Sequence, residues 1–142
     1  MAFKVYWDEA HPNIIHNVYT GEVILDDYYQ VVDETYKLIR SVDFTVNTIL
    51  RYEDVTKRPA NLLQVMRYAS KTVPDNLGTR VVVAYSLQTQ FTKVLINMAR
   101  QMGLQLVEGV SIVDSLEDAY SVLASKEVDM AEDEISSPDT IK

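Results

Sequence analysis

Apolar and polar positions in this chain follow two different periods, and the order of those periods predicts an α/β domain. Residues 3–7 and 13–20 alternate between apolar and polar, which is typical of half-buried strands, and the short link between them favours an antiparallel hairpin. Residues 45–50, 80–85 and 110–113 are short apolar runs rich in β-branched side chains, and they are three further predicted strands. The segments between and after these strands carry apolar residues at helical spacing.

The predicted order of elements is ββαβαβαβα, which defines the fold class as a single-domain α/β protein. Connections of the strand–helix–strand kind cross over right-handed, so the later strands are expected to pair in parallel. The N-terminal hairpin supplies an antiparallel edge, and the expected result is a mixed sheet with helices packed against it. A chain of 142 residues is long enough for one hydrophobic core, and we assign residues 1–126 to this domain.

Charge is unevenly distributed along the chain and changes the interpretation of its C-terminal end. The formal net charge is −8, and residues 127–142 hold six acidic residues against a single lysine. Few large apolar side chains occur there, so we expect an acidic, mobile tail. An acidic body with an acidic tail repels phosphate backbones, and nucleic acid is therefore not an expected partner.

Composition narrows the classes of function further. Cysteine is absent, so there is no disulfide framework or thiolate metal site, and no cofactor is predicted. No apolar run reaches the length of a membrane span and the first residues lack the layout of a signal peptide, so we expect a cytoplasmic protein without a membrane span. The sequence has no nucleophile–base pair, metal-ligand cluster or glycine-rich phosphate loop, which predicts that the protein is not an enzyme.

Three short stretches connect the chain to a known family. Residues 3–7 are Phe-Lys-Val-Tyr-Trp, residues 19–21 are Tyr-Thr-Gly, and residues 113–120 are Val-Asp-Ser-Leu-Glu-Asp-Ala-Tyr. Together with the order of elements, they make residues 3–126 resemble the SpoIIAA-like members of the STAS superfamily. The resemblance implies a four- or five-stranded mixed sheet flanked by helices, in a fold shared with bacterial anti-sigma-factor antagonists and transporter regulatory domains.

Family members of the anti-sigma-antagonist type carry a phosphorylatable serine where the loop after the third strand enters the next helix. In this chain residues 54–62 occupy that position and lack the Asp-Ser-Ser-Gly-like pattern. We expect the helix to start at Pro59, so Ala60 and Asn61 lie nearest its start, and Thr56 is the only nearby hydroxyl. We therefore expect no phosphorylation in this segment and a protein that is constitutively competent to bind.

Ligands of open α/β sheets collect beyond the carboxyl ends of the parallel strands, so polar residues at three predicted strand ends form a candidate site for a ligand or partner. These residues are Glu53, Asp54 and Thr56, then Ser86 and Gln88, then Asp114 and Ser115. The alternative is that Ser86, Asp114 and Ser115 only cap the helices that follow them. Lys57 and Arg58 are expected either to hold an anion beside a helix N-terminus or to lie in a solvated loop.

Histidines and tyrosines give weaker indications of function. His11 falls in the hairpin turn and His16 in the second strand, and their spacing implies no partner that would make either one a general base or metal ligand. The tyrosines expected to cluster are Tyr28, Tyr29 and Tyr36 on the first helix, and Tyr6 and Tyr19 on one face of the hairpin. Such clusters predict either an ordinary sheet–helix contact or a docking face for a partner or second subunit.

Two functions from different classes are consistent with these patterns. The leading hypothesis is a non-catalytic, STAS-like regulatory module that binds a protein partner or, as a homodimer, a second copy of itself. The alternative is a carrier of a small apolar, lipid-like molecule held between a helix and the sheet. The residues expected to line such a space are Met66, Phe91, Leu95, Met98 and Met102.

Overall fold

The computed structural model describes residues 2–84 and 86–135 of the chain, and it describes side chains within 2–84 and 90–127. The strands are β1 (Phe3–Trp7), β2 (Ile14–Glu22), β3 (Val46–Lys57), β4 (Leu77–Val83) and β5 (Val110–Val113). The helices are α1 (Leu25–Arg40), α2 (Leu63–Lys71), α3 (Ser86–Gln101) and α4 (Leu116–Ile135), and a short 3-10 turn (Gln105–Val107) precedes β5. This order confirms the predicted α/β arrangement ββαβαβαβα. None of the helices in the described part of the chain combines the length and the apolar character that crossing a membrane requires.

The five strands form one sheet in the order β1-β2-β3-β4-β5. β1 pairs antiparallel with β2, which places Phe3 opposite Tyr19 and Tyr6 opposite His16. Every later pair of neighbours is parallel, as the sequence predicts. Because each strand lies next to the strand before it, the crossover helices α1, α2 and α3 share one face of the sheet, and α4 covers the other.

Strand β3 is longer than predicted, and its length changes the position of several candidate residues. The sequence predicts a charged loop at 51–58, whereas β3 continues to Lys57 and pairs with β2, which itself continues to Glu22. Register shifts around Gly21 mark bulges in this pairing, and Asp54 adopts a φ of 52° where β3 has an extra residue. Asp54 and Thr56 therefore lie within the strand. The pairing provides hydrogen-bond partners for the backbone N–H and C=O groups of this segment, and its charged side chains give no sign of that pairing.

The starts of α1 and α4 show the expected capping chemistry. At the start of α1, the Asp27 carboxylate accepts a hydrogen bond from the backbone N–H of Ile24 at 2.9 Å. At the start of α4, the Ser115 hydroxyl accepts one from the backbone N–H of Asp118 at 3.0 Å. These contacts satisfy N–H groups that have no partner within the helix, and they confirm the capping alternative for Ser115.

Two helix limits differ from the prediction. Helix α2 begins at Leu63, after the expected start at Pro59, because the longer β3 leaves the residues after Lys57 to form the connection. Helix α4 continues to Ile135, past the expected domain boundary at 126. Residues 136–142 of the predicted tail lie outside the described residues, and the mobility of the tail stays a prediction.

The sheet face under α4 is covered by a compact apolar layer. It consists of Ile14, Ile49, Val81 and Val83 from the strands, and Ala119 and Leu123 from α4. Ile49 and Val83 are fully excluded from solvent. Burial of a side chain of this size stabilises the folded state by about 1.5–3 kcal/mol, so this layer holds α4 on the sheet.

Helix α3 buries a narrower face than its apolar pattern predicts. Phe91 and Leu95 pack against the core beneath the helix. Val94, Met98 and Met102, in contrast, are exposed to 58%, 46% and 41%. The expectation that Met98 and Met102 line an interior space is therefore wrong. Apolar residues cover more than one side of α3, and periodicity alone does not determine which side faces the sheet.

Candidate functional site

An apolar cavity lies between the sheet and the helices α1, α2 and α3. Its volume is about 190 Å³. Strands contribute Tyr19, Thr48, Leu50 and Tyr52, and helices contribute Tyr28, Val31, Val65, Met66, Phe91 and Leu95, among others. Met66, Phe91 and Leu95 thus occupy the lining position predicted for them.

The alternation of side chains along β3 explains why these strand residues share the cavity. Successive strand residues point to opposite faces, so Thr48, Leu50 and Tyr52 face the cavity while Ile49 and Arg51 face α4. From Thr48 to Tyr52 the strand advances by roughly 13 Å at about 3.3 Å per residue, which gives the approximate length of the cavity along the sheet.

Three stacked tyrosines form the wall of the cavity beneath α1. The Tyr19 ring stacks on the Tyr28 ring at a centroid distance of 4.5 Å and on the Tyr52 ring at 5.4 Å. The Tyr28 and Tyr52 hydroxyl oxygens are 3.3 Å apart. Burial raises the pKa of all three phenols, which therefore stay protonated and uncharged at neutral pH.

This arrangement corrects the expected pairing of Tyr6 with Tyr19 on one face of the hairpin. Tyr6 lies opposite His16 on the α4 face, whereas Tyr19 faces the cavity. Tyr19, Tyr28 and Tyr36 are all buried, so they form a sheet–helix contact and not an exposed docking face.

Arg58 lies at the end of the cavity nearest the carboxyl ends of the strands. Its guanidinium carbon is 4.1 Å from the centre of the Phe91 ring and 5.4 Å from that of the Tyr52 ring. Both distances are within the range of cation–π attraction. The half-buried Arg58 therefore covers the tyrosine wall with a cation, and we call this part the Arg58 end of the cavity.

Polar groups also lie at the middle of the cavity and at its opposite end, near the start of the parallel strands. The Asn17 side-chain amide donates a hydrogen bond to the Thr35 hydroxyl at 2.8 Å, and both side chains are buried. Arg80 of β4 pairs in register with Thr48, and both residues line the cavity. We call this part the Arg80 end.

Among the described residues of the cavity, Arg80 has a buried side-chain nitrogen without a hydrogen-bond partner. One terminal nitrogen of its guanidinium donates to the carbonyl oxygen of Gly78 at 3.1 Å. Its Nε is fully buried and has no partner in the described part of the chain. Burial lowers the pKa of Arg80 because removal from water disfavours the cation, while the negative charge of Glu108 acts in the opposite direction.

The residues predicted for a ligand or partner site do not converge on one point, as far as their side chains are described. Arg58 lines the cavity, whereas the ammonium of Lys57 points to solvent and is 3.8 Å from a Glu22 carboxylate oxygen. Asp114 is exposed after β5, in a separate surface cavity lined also by Lys93.

Among the described side chains, the remaining predicted residues add no further contact to the apolar cavity. Asp54 and Thr56 are exposed on β3. Ser86 begins α3, and its side chain lies outside the described residues. Arg58 is therefore the predicted residue that lines this cavity, where it covers aromatic rings and does not lie beside a helix N-terminus.

A second polar cluster lies on the opposite face of the sheet, around His16. Its Nε2 is 2.6 Å from an Asp8 carboxylate oxygen and 3.2 Å from the Tyr120 hydroxyl, and its Nδ1 is 3.3 Å from an Arg51 guanidinium nitrogen. Arginine can only donate, so Nδ1 accepts and Nε2 carries the hydrogen that is donated to Asp8. The contacts hold the His16 ring between Asp8, Tyr120 and Arg51.

Hydrogen bonds control the ionisation of this cluster. Burial alone would raise the pKa of Asp8, but hydrogen bonds from Tyr120, His16 and the backbone N–H groups of Ala10 and His11 hold it well below its usual range. Burial and the neighbouring carboxylate raise the pKa of Tyr120 to about 12. Asp8 is thus a stable carboxylate that accepts hydrogen bonds from three parts of the chain.

Sequence reasoning missed both the His16 cluster and the Arg80 end of the cavity. The partners of His16 come from the turn after β1, from β3 and from α4, so no local spacing reveals them. A usable signal for Arg80 was a cation at the start of the most apolar predicted strand, 80–85, where a buried position is expected.

Neither cluster is a metal site by composition. Among the described residues, no group of three or more histidine or carboxylate side chains is arranged so that it could hold a metal ion.

Comparison of the chain with models of known protein families and with curated proteins gives no match.

Proposed function

We propose that this protein is a non-catalytic carrier of a small apolar molecule. The observation that carries the proposal is the cavity of about 190 Å³ between the sheet and helices α1–α3. Protein interiors are close-packed, and voids larger than a water molecule are few. An engineered apolar cavity of about 150 Å³ is large enough to bind benzene, so the volume here supports a ligand of at least that size.

The chemistry of the lining supports the same function. Aromatic and aliphatic side chains make up most of the wall, and the buried phenols of Tyr19, Tyr28 and Tyr52 stay uncharged. Ligand pockets typically combine such a wall with a small number of polar groups that fix orientation. The Asn17–Thr35 pair and the two arginines at opposite ends provide these polar groups.

A cavity-filling variant tests the carrier function. Val65 is 6% exposed and lines the cavity, so Val65→Phe is expected to fill part of the space and to weaken binding of 1-octanol by at least about tenfold. Val94→Phe is the matched control, because it makes the same substitution on the exposed side of α3. Calorimetric titration gives the affinities, and circular dichroism checks that both variants are folded.

Native mass spectrometry of freshly purified protein provides an independent measurement. Co-purifying apolar mass that is absent from Val65→Phe and present in Val94→Phe is the expected result. Wild-type protein that carries no such mass and binds no 1-octanol would contradict the carrier function. Equal binding by the two variants would also contradict it, because the ligand would then lie outside the cavity.

The exposed stripe on α3 supports a second candidate, a STAS-like module that binds a protein partner. Val94, Met98 and Met102 follow one another at intervals of four residues, so they lie on one side of the helix. Methionine-rich apolar surfaces are adaptable and common at protein interfaces. We propose that a protein partner with an apolar groove covers this stripe, in keeping with the family resemblance.

Introducing a charge into the apolar stripe tests this second candidate. Met98→Lys is expected to abolish recovery of a specific partner from native cells by affinity capture, while leaving 1-octanol binding unchanged. Lys93→Ala, at an exposed position of the same helix outside the stripe, is the control. Capture of the same proteins by wild type and Met98→Lys would contradict the role of the stripe, and dimerisation of the pure protein that Met98→Lys abolishes would identify a second copy as its partner.

A further inference from the structure

The Arg58 end of the cavity carries an inference about the ligand, which rests on the proposed carrier function. The half-buried Arg58 places its guanidinium carbon 4.1 Å from the centre of the Phe91 ring. None of the ion pairs among the described residues includes Arg58, and no aspartate or glutamate is among the described residues that line the cavity. The Arg58 cation therefore has aromatic faces, and no carboxylate, as its described neighbours in the cavity.

Two phenol hydroxyls lie close to this cation. The Tyr28 and Tyr52 oxygens are 3.3 Å apart, and both residues line the cavity. Burial raises the pKa of both phenols, and the positive charge of Arg58 acts against that shift because a nearby cation favours the ionised form. Two neutral hydroxyls that share one hydrogen bond leave one O–H to donate to a further acceptor.

Arg80, the cation at the other end, is in none of the described ion pairs either, but its surroundings differ. A terminal nitrogen donates to the Gly78 carbonyl oxygen at 3.1 Å, and the fully buried Nε is out of reach of a ligand. The negative charge of Glu108 acts on Arg80, and both residues line a separate surface cavity. Asp27, in contrast, acts on the tyrosine wall from outside the cavity lining, where its carboxylate caps the start of α1. The Arg58 end is therefore the place where an anion from outside has a cation and a donor to bind.

We propose that the cavity binds an apolar molecule with one anionic head group, held at the Arg58 end by the guanidinium and the Tyr28–Tyr52 hydroxyl pair. The planar guanidinium of arginine fits a carboxylate, and charge-assisted hydrogen bonds of this kind are the strong ones. Because Arg58 is half-buried, a head group beside it keeps part of its water, which avoids the large cost of enclosing an ion in apolar surroundings. One charge is expected, since the neighbouring cation, Lys57, extends into solvent near Glu22.

The alternation of β3 sets the direction of the apolar body. From Tyr52 past Leu50 to Thr48, the cavity side of the strand spans roughly 13 Å at about 3.3 Å per residue. The apolar body therefore extends from the head group along this line, between the sheet and the side chains of Val65 and Leu95.

Octanoate, 1-octanol and octylammonium are the probes, because they share an apolar chain and differ in the charge of the head group. The net charge of −8 favours a cation overall, so tighter binding of octanoate than of octylammonium by wild type is expected only from a local cation. Arg58→Met is expected to weaken octanoate binding by about tenfold, to leave 1-octanol within about threefold, and to strengthen octylammonium binding. Lys57→Met is the matched control, because it removes the adjacent exposed cation, and its octanoate affinity should stay within about threefold of wild type. Calorimetric titration measures the affinities, and circular dichroism checks that the variants are folded.

The outcomes separate this inference from the carrier function. Unchanged octanoate affinity in Arg58→Met, with 1-octanol still bound, overturns the inference and leaves the carrier function standing. An equal loss in Lys57→Met overturns it as a general effect of charge, and a larger loss in Arg80→Met than in Arg58→Met overturns it by placing the head group at the other end. Failure of wild type to bind any of the three probes contradicts both proposals. Should Arg58→Met not fold, wild type alone decides, because octylammonium bound as tightly as octanoate overturns the inference.

Discussion

The hydroxyl of Tyr120 donates a hydrogen bond to the carboxylate of Asp8, across 112 positions of the chain. Asp8 follows β1 and Tyr120 lies in α4, so this contact joins the last helix to the N-terminal hairpin. The same carboxylate accepts from the Nε2 of His16 at 2.6 Å and from the backbone N–H groups of Ala10 and His11. The hairpin turn and the helix therefore share one acceptor.

The first prediction concerns the stability that this acceptor provides. Asp8→Asn removes the charge but preserves the shape, and it is expected to lower the free energy of unfolding by about 1.5–3 kcal/mol, the range for hydrogen bonds to charged groups. Chemical denaturation at neutral pH measures the change. Asp114→Asn, at an exposed position, is the control and is expected to change stability by less than about 0.5 kcal/mol. Equal effects of the two substitutions would contradict a special role for Asp8.

The depressed pKa of Asp8 gives this prediction a pH dependence with a definite sign. The folded protein holds Asp8 ionised to lower pH than the unfolded chain, whose aspartate pKa is about 3.9. The contribution of Asp8 is therefore complete above about pH 4 and is lost as pH falls from there towards the folded-state pKa. The stability difference between wild type and Asp8→Asn should shrink below pH 4, and a difference that grows on acidification would contradict this.

The second prediction concerns the close approach of β4 to β3 at Gly78. A Cβ at this position would lie 2.7 Å from the Thr45 methyl group and would also collide with the Asn47 side-chain oxygen, which accepts a hydrogen bond from the backbone N–H of Thr79. Gly78→Ala is expected to destabilise the protein by about 1–3 kcal/mol through this overpacking. Thr45→Ser removes the methyl group and should recover part of the loss in the double variant. Purely additive effects in a double-mutant cycle would exclude the steric explanation.

The third prediction distinguishes the cavity from the packed layer under α4. Leu95 is half-buried beside existing space, so Leu95→Ala is expected to cost about 1 kcal/mol, below the 2–5 kcal/mol typical of a fully packed leucine. Ile49→Ala, in the packed layer, should cost about 2–5 kcal/mol. Denaturant titrations of both variants measure the difference. A Leu95→Ala cost as large as that of Ile49→Ala would indicate a filled core in place of a ligand space.

The fourth prediction concerns regulation. The segment 54–61 contains Thr56 as its only hydroxyl, and Thr56 is exposed within β3 instead of lying at a helix start. We expect no phosphorylation in this segment, because residues 59–62, which precede helix α2, carry no hydroxyl. Phosphopeptide mapping of protein from native cells measures this directly. Stoichiometric phosphate on Thr56 would contradict the prediction and support a phosphorylation switch.

The fold could be predicted because strands and helices have different periods, and here each segment keeps one period. The limits of β3 could not be predicted, since the charged residues Arg51, Glu53 and Lys57 indicate a loop, whereas the backbone pairing with β2 continues to Lys57. The side of α3 that faces the core could not be predicted either. Phe91 and Met98 are both large apolar residues in the sequence, and only the position of the sheet separates the half-buried ring of Phe91 from the exposed thioether of Met98.

Little of the candidate site could be predicted from the sequence. The sequence indicates Arg58 as a cation near an expected helix start, whereas its position over the cavity follows from the end of β3 at Lys57. Arg80 gains its significance from the register of β3 and β4 and from the absence of a partner at its Nε in the described structure. Strand register depends on contacts between distant parts of the chain, and it could not be predicted from this single sequence.

The order of the strands across the sheet is the order in which they are synthesised. Domains acquire structure from the N-terminal side during synthesis, so each emerging strand finds its neighbour already available. The 20-residue helix α4 follows all five strands, and within the described part of the chain it is the helix that covers Ile14, Ile49 and Val83. While α4 is still inside the ribosome, this apolar face of the sheet stays uncovered and open to chaperones. The hydrogen bond from Tyr120 to Asp8 forms only once α4 has packed on the sheet.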